Sequence, residues 1–477
     1  MERSLVFNSL VFLEFAALFF LGFWFVRDKK PWNYAYLILM SCLFYGYAGW
    51  WFVPLLLLTA SVDYWMAQAI HDRPEHKKLL LIISLVSNLG VLGLFKYSGW
   101  FAEGINSAAQ GLGLQASLPV LHFALPVGIS FYTFQSLSYV FDVYRGETKP
   151  ARSILHFLSI VTLFPHLVAG PIVRVSHILP QIEVLPKATP TMVWDGFQLI
   201  AFGLFKKMVI ADNLAPYVDS VYGGATPGNA AAYTLATVAF AFQIYHDFSG
   251  YTDIARGLAK WIGLEFTLNF NHPYTAIGFT DFWARWHISL SKWIRDYIFI
   301  PLGGSRVPEL VIHRNIWVAM LLSGLWHGAN VTFVVWGALH ALYQSIERIT
   351  RWPKRISTTL PGRLLGVAIT FVMATSAWVF FRALTLNDAF DVFRTVGSGR
   401  WSFGSALSAL PSAFMKFQFQ VAFLLAILIE GYFVVVRHAN LKLVIPRPPV
   451  RAFLAAAMLV ACIYFGGAGQ TFIYFAF

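Results

Sequence analysis

The chain has 477 residues, 58% hydrophobic and only 12% charged, with 45 Phe, 17 Trp and 20 Tyr, whereas a water-soluble domain carries about a quarter charged residues. That excludes an ordinary soluble enzyme and marks an integral membrane protein. The formal net charge of +12 is dispersed through short loops between apolar runs, so it reports membrane orientation and argues against a nucleic-acid partner.

The first apolar run, 5 to 26, follows a start with one acid and one base and lacks a small-residue cleavage site before the RDKK at 27 to 30. It is read as a retained span, not a signal peptide. Further runs long enough to cross about 30 Å of hydrocarbon fall at 34 to 49, 51 to 70, 79 to 97, 120 to 144, 192 to 212, 230 to 250, 311 to 326, 330 to 347, 364 to 385, 419 to 436 and 452 to 466. Residues 1–477 are therefore expected to form a single integral-membrane domain of about 11–12 transmembrane helices. Cys42 and Cys462 lie in apolar runs without partner or ligand spacing, so neither a disulfide nor a metal site is expected.

Basic clusters at 27 to 30, 73 to 78, 145 to 152, 348 to 363 and 437 to 451 face the cytoplasm by the positive-inside rule. Segments 98 to 119 and 213 to 229 contain no Lys or Arg and are assigned to the outside. The apolar stretch 154 to 172 fits this parity only if it dips in and returns. The connection 386 to 418 breaks the rule mildly, placing Arg394, Arg400 and Lys416 on the outer side. Glu14 and Asp63, inside apolar runs, are expected to hydrogen-bond between helices.

Residues 251 to 310 depart from a simple bundle, because basic residues alternate with Trp and Phe. Irregular backbone survives at membrane depth only where protein or a water-filled cavity covers its polar groups, which predicts a re-entrant region beside a cavity. Within it, 281 to 297 reads as one amphipathic helix at the membrane interface. Trp283, Trp286, Leu290, Trp293 and Tyr297 share one face, with indoles at headgroup level, and Arg285, Ser289, Lys292 and Asp296 share the other. His287 falls at the edge of the aromatic stripe, pointing into packed protein. The YHDFSGYTD stretch places Asp247, Ser249 and Tyr251 at the inner end of a span, where substrate contact and helix capping are both open. Gly303 and Gly304 read as a turn.

His327, in GLWHGAN, puts an ionisable imidazole where a span wants an apolar side chain, with Gly324, Gly328 and Ala329 opening space beside it. A buried membrane imidazole costs a few kcal/mol and usually lines a site or pathway, and imidazole both takes and gives a proton near neutral pH. Spacing alone leaves a structural role, hydrogen-bonded between helices, equally open.

The stretches LLSGLWHGAN and DFWARWHISLSKWIRDYIFIPLGGSR at 281 to 306 resemble the membrane-bound O-acyltransferase superfamily, and within it the bacterial branch that O-acetylates exported alginate and related polymers. LVFNSLVFLEF near the start, LPVGISFYTFQSLSYVFDVYRGE at 125 to 147, FPHLVAGPIVR at 164 to 174, FQIYHDFSGYTDIARGLAKWIGLEF at 242 to 266 and FIYFAF at the end extend the resemblance in order. One departure is LVAG for FVAG at 167 to 170. The resemblance implies an all-α polytopic fold, a ring of tilted, re-entrant and interfacial helices around a central tunnel. It implies His327 as the catalytic base and His287, 40 residues upstream, lining the same tunnel and orienting a reactant. Trp326 and Trp286, beside them, join Asp247, Ser249 and Tyr251 as candidate substrate-binding residues.

Acetyl-CoA is the implied donor. Lys260, Arg285 and Lys292 stand where they attract its charge or merely anchor the cytoplasmic side. The implied partners are the lipid bilayer, an exported-polysaccharide complex in a bacterial cytoplasmic membrane, and an extracytoplasmic SGNH-like acetyltransferase. Two other readings stay open: D-alanyl transfer to teichoic acid, and a proton-coupled transporter using buried His and Asp, although the halves show no inverted repeat.

Overall fold

A computed structural model of the chain describes residues 6–114, 117–121, 123–439, 441, 447–467, 469–470 and 472–473, and every regular element among them is a helix. Leu5 of the first expected span, 115 and 116 of an expected outer segment, and the last four residues of FIYFAF lie outside the described residues. Helices follow from the solvent: a backbone crossing hydrocarbon must satisfy its N–H and C=O groups within the segment.

By length and composition, five helices among the described residues can cross a membrane: Phe52–Asp72, Pro74–Gly111, Leu360–Arg382, Ala413–His438 and Pro448–Phe465. Leu10–Val26 is apolar but shorter. Other expected crossings coincide with helices that carry polar residues and bury them, above all the 33-residue Ala230–Ile262.

Two compact units are formed, one by residues 1–196 with 255–267 and the other by 197–254 with 268–477. In the first, Asp63 is fully buried, and its Oδ1 accepts hydrogen bonds from Ser84 Oγ at 2.6 Å and Asn88 Nδ2 at 2.7 Å on the helix Lys77–Leu92. This is the interhelix role expected of it. Glu14 differs: it stands on the exposed face of Leu10–Val26. Within 154 to 172 the chain forms Ile154–Val161 and Phe164–Leu167. Eight residues rise only about 12 Å, well short of a crossing. The segment assigned to the outside from 98 is helical through Ser98–Gly111, continuing from Lys77–Leu92 through a π-turn at Gly93–Tyr97 without an intervening proline.

In the second unit, Glu309–His327 and Val331–Thr350 form a tight hairpin, with Asn330 capping the second helix by accepting from Thr332 N. The two helices meet backbone to backbone. A Cβ on Gly324 would stand 2.2 Å from the carbonyl oxygen of Phe333, and one on Gly337 would stand 2.4 Å from that of Met320. Small residues at such a crossing let van der Waals packing hold membrane helices together. Gly337→Val is expected to force the pair apart and destabilise the fold by about 1–3 kcal/mol, read as a lower thermal midpoint in detergent; an unchanged midpoint would refute the close approach.

Between these helices and Ala230–Ile262, residues 268–308 form only short pieces: Pro273–Thr275, Phe279–Trp283, Ile288–Ile294 and the π-turn Arg295–Phe299. The expected continuous helix over 281 to 297 is therefore broken. The break is the turn at 284–287, which ends on His287, whose backbone is left-handed at φ 41°. Nor does the aromatic stripe lie among headgroups, since Trp283, Trp286, Leu290, Trp293 and Tyr297 are all buried in protein. Gly303 and Gly304, both at positive φ, make the expected turn.

Candidate active site

His327 is the last residue of its helix and is 4% exposed. Its ring meets three aromatic side chains edge to face: Trp326 at 4.9 Å, Trp336 of Val331–Thr350 at 5.1 Å and Phe381 of Leu360–Arg382 at 5.1 Å. Edge-to-face contact presents positive ring edges to negative faces and fixes the plane of the imidazole.

His287 is fully buried, with Phe248 of Ala230–Ile262 at 4.8 Å, Phe270 at 6.2 Å and Trp326 at 5.8 Å. The two imidazoles thus flank one indole. Trp286 is packed in the same cluster, 5.1 Å from Phe270 and 4.9 Å from Trp378, which in turn stacks on Trp336. Four predicted residues, His327, His287, Trp326 and Trp286, are therefore brought together.

Others are placed differently. Asp247, Ser249 and Tyr251 are not at a helix end, as capping would require, but inside the uninterrupted helix Ala230–Ile262, all buried. The Asp247 carboxylate takes Lys207 Nζ at 2.9 Å and the Ile473 N–H at 2.8 Å, while Lys207 also holds Asp212 at 2.8 Å. Tyr251 packs against Phe472 at 4.8 Å. From this helix it is Phe248 that touches His287. Arg285 is held by Asp281 at 2.8 Å and by the Asn271 carbonyl at 3.1 Å, and Asp281 is shared with Arg437 at 2.7 Å. Lys260 pairs with Glu265 at 2.9 Å in the first unit, which keeps that carboxyl below its usual range.

Lys292 lines a cavity of about 460 Å³ with Trp283, Arg295, Ser323, Gln344 and Arg348. Arg348 donates to Glu309 at 2.7 Å and holds its carboxyl below the usual range. Ser323 is one helical turn before His327. A second cavity, of about 350 Å³, is lined by Gly328 and Asn330, directly after His327, and by Asp219, Gln243, Phe381 and Arg382. Arg382 donates to Asp219 at 2.8 Å across it.

Two residues here were not singled out from the sequence. His340 is fully buried between Trp336 at 4.7 Å and Trp283 at 5.1 Å, with neither ring nitrogen hydrogen-bonded among the described residues. Its spacing of four from Trp336, on one helical face, was a usable signal. Asn269 sits beneath His287 and had none. Among the described residues no three His, Cys, Asp or Glu side chains are placed to share a metal ion.

A family model described as MBOAT, membrane-bound O-acyltransferase family, matches residues 56–387, including both central histidines. The chain belongs to this family. It is a multi-pass membrane protein. Its O-acyltransferase relatives include the Probable alginate O-acetylase AlgI of Azotobacter vinelandii, 38% identical over 405 residues, covering 83% of this chain and 79% of that protein. The Peptidoglycan O-acetyltransferase of Helicobacter pylori is 36% identical over 425 residues, covering 82% and 79%. The Teichoic acid D-alanyltransferase of Bacillus subtilis is 26% identical over 258 residues, covering only 51% and 65%. The D-alanyl reading is the weaker one on both identity and coverage.

Proposed function

We propose that this O-acyltransferase moves acetyl from cytoplasmic acetyl-CoA towards an exported polysaccharide in a bacterial inner membrane, with an extracytoplasmic SGNH-like transferase as its partner. The observation that carries the reading is the position of His327 on the stretch 323–328, which gives Ser323 to one cavity and Gly328 to the other. Cationic side chains, Lys292, Arg295 and Arg348, stand around the first cavity, which suits the phosphates of a nucleotide thioester. By the positive-inside rule this is the cytoplasmic cavity. The second, with Asp219, Gln243, Asn330 and Arg382, offers the mixed donors and acceptors that hydroxyl-rich ligands require.

In the reaction the acceptor oxygen attacks the thioester carbonyl, the C–S bond breaks, and an ester and a thiol result. His327 takes the hydroxyl proton and returns it to the departing sulfur, so no net proton is consumed. A positioned imidazole contributes about 10²–10⁴ in rate, and holding the two reactants on either side of one ring adds a proximity term.

The test is acetyl transfer from labelled acetyl-CoA by the full chain in vesicles, supplied with polysaccharide and the extracytoplasmic partner. Lys292→Ala is expected to raise the donor KM roughly tenfold, the value of one lost charge-assisted hydrogen bond of about 1.5 kcal/mol. Arg285→Ala, whose partners are Asp281 and Asn271, is expected to lower thermal stability and leave KM unchanged. Absence of any acetyl transfer from a thioester donor would reject the function. A KM raised by Arg285→Ala alone would move the donor site away from Lys292.

A further inference from the structure

We propose that Asn269 is a positioning residue that locks His287 in the Nδ1–H tautomer, so that Nε2 carries a lone pair and orients the acceptor hydroxyl, not the thioester carbonyl. The inference rests on the acetyl-transfer reading for its chemical meaning, but the tautomer itself follows from geometry alone.

Asn269 is 1% exposed, and its Oδ1 is approached by three groups: Ser289 N at 3.2 Å, Ser289 Oγ at 2.8 Å and His287 Nδ1 at 3.1 Å. Oxygen and nitrogen of an amide side chain are assigned from their partners. Here the assignment is forced, because the Ser289 backbone N–H can only donate. The atom facing it must be the carbonyl oxygen; the reversed amide would set N–H against N–H. An amide oxygen only accepts, so the His287 nitrogen facing it must carry the proton. In a neutral imidazole the other nitrogen, Nε2, is then the acceptor.

The backbone reinforces this placement. Ile288 N donates to Asn269 O at 2.8 Å and Asn271 N to Arg285 O at 3.0 Å, so segments 269–271 and 285–288 are tied together on both sides of the histidine. His287 itself is held at φ 41°, ψ 55°, a left-handed conformation that a non-glycine residue keeps only where its surroundings over-determine it. Residues so held concentrate at functional sites, and here the hold serves one ring orientation.

The chemical consequence is a division of labour. A neutral Nε2 accepts a hydrogen bond, so it can hold a hydroxyl O–H with its oxygen turned towards the carbonyl carbon. It cannot donate to a carbonyl oxygen. His287 therefore belongs with the acceptor, and His327 shuttles the proton.

The experiment has two independent arms. In ¹⁵N-histidine-labelled full-length protein in lipid, the His287 signal is identified among 13 His by its loss in His287→Asn. It is expected to show a protonated Nδ1 and an unprotonated Nε2, and Nε2–H would overturn the proposal whatever the activity. In the transfer assay, Asn269→Leu is expected to lower kcat at least about tenfold with little change in donor KM, as loss of a group that orients an imidazole does elsewhere. Asn269→Asp keeps an accepting oxygen beside Nδ1 and is expected to restore turnover. Its negative charge raises the proton affinity of His287, so the acidic limb of the rate profile moves to higher pH, which a packing role would not produce. Full kcat in Asn269→Leu would overturn the proposal, as would a restored Asn269→Asp with an unmoved acidic limb. An unsubstituted protein that transfers no acetyl would fail the proposed function instead, leaving the ¹⁵N spectrum to decide the tautomer.

Discussion

His327→Ala is expected to abolish acetyl transfer, with the acetate content of the exported polymer falling to the level of cells lacking the protein. Removing a general acid–base group forfeits about 10²–10⁴ in rate. That loss is larger than anything the accompanying packing defect would cause at matched protein levels. The ring is enclosed by Trp326, Trp336 and Phe381, so alanine also leaves a small void, and membrane levels must be measured alongside. His287→Ala is expected to lower turnover without changing the amount of folded protein severely, since the segment stays tied by Ile288 N to Asn269 O. Undiminished acetate in the His327 variant would reject its catalytic assignment. Loss in both variants at normal protein levels is the outcome that a shared site requires.

Of the central pair, the cost of burial singled out only His327 and left a structural role equally open; His287 as a site residue, and the chemical role of each, came from the family resemblance. An imidazole in an apolar run is expensive unless it lines a site, and WHG is flanked by small residues that leave room for one. What surrounds the pair was less legible. Periodicity over 281 to 297 placed the buried aromatic residues on one face, but it set Ser289 on the polar face although it is buried, and it could not register the turn at 284–287 that ends on the left-handed His287 and breaks the helix. The reading of a helix end near 250 failed for a related reason. Gly250 looks like punctuation, but it lies where another segment crosses. A Cβ there would meet the Gly203 carbonyl oxygen at 2.7 Å, and one on Gly203 would meet that of Gly250 at 2.5 Å. The glycines serve close approach, so the helix continues, and Asp247, Ser249 and Tyr251 become interior residues rather than caps. Asn269 was invisible for want of any short-range signal: its partners lie 18 and 20 positions away.

The same crossing sets up the largest stability effect expected in this protein. The π-turn Phe205–Ala211 carries two successive lysines, both buried, to separate carboxylates: Lys206 to Asp253 at 2.6 Å, and Lys207 to Asp212 at 2.8 Å and Asp247 at 2.9 Å. A wide turn of this kind is a rare element retained mostly where it places side chains. Burying an ion pair gains little over an apolar pair of similar volume, but deleting one partner strands the other's charge at about 3–5 kcal/mol. Lys207→Met strands two carboxylates at once. It is therefore expected to remove most of the folded protein from the membrane, because the Ile473 N–H, which donates to Asp247, does not replace the lost ammonium. Asp247→Asn leaves one ammonium facing one carboxylate, and should be the milder change. Lys207→Met combined with Asp212→Asn and Asp247→Asn neutralises all three groups and should recover much of the lost protein. Thermal unfolding in detergent and quantitative immunoblots of membranes measure this series. A Lys207→Met variant as stable as the unsubstituted chain would show the network to be energetically idle. A stable variant that transferred no acetyl would place Lys207 in the chemistry, acting through Asp247, the sequence neighbour of the Phe248 whose ring touches His287.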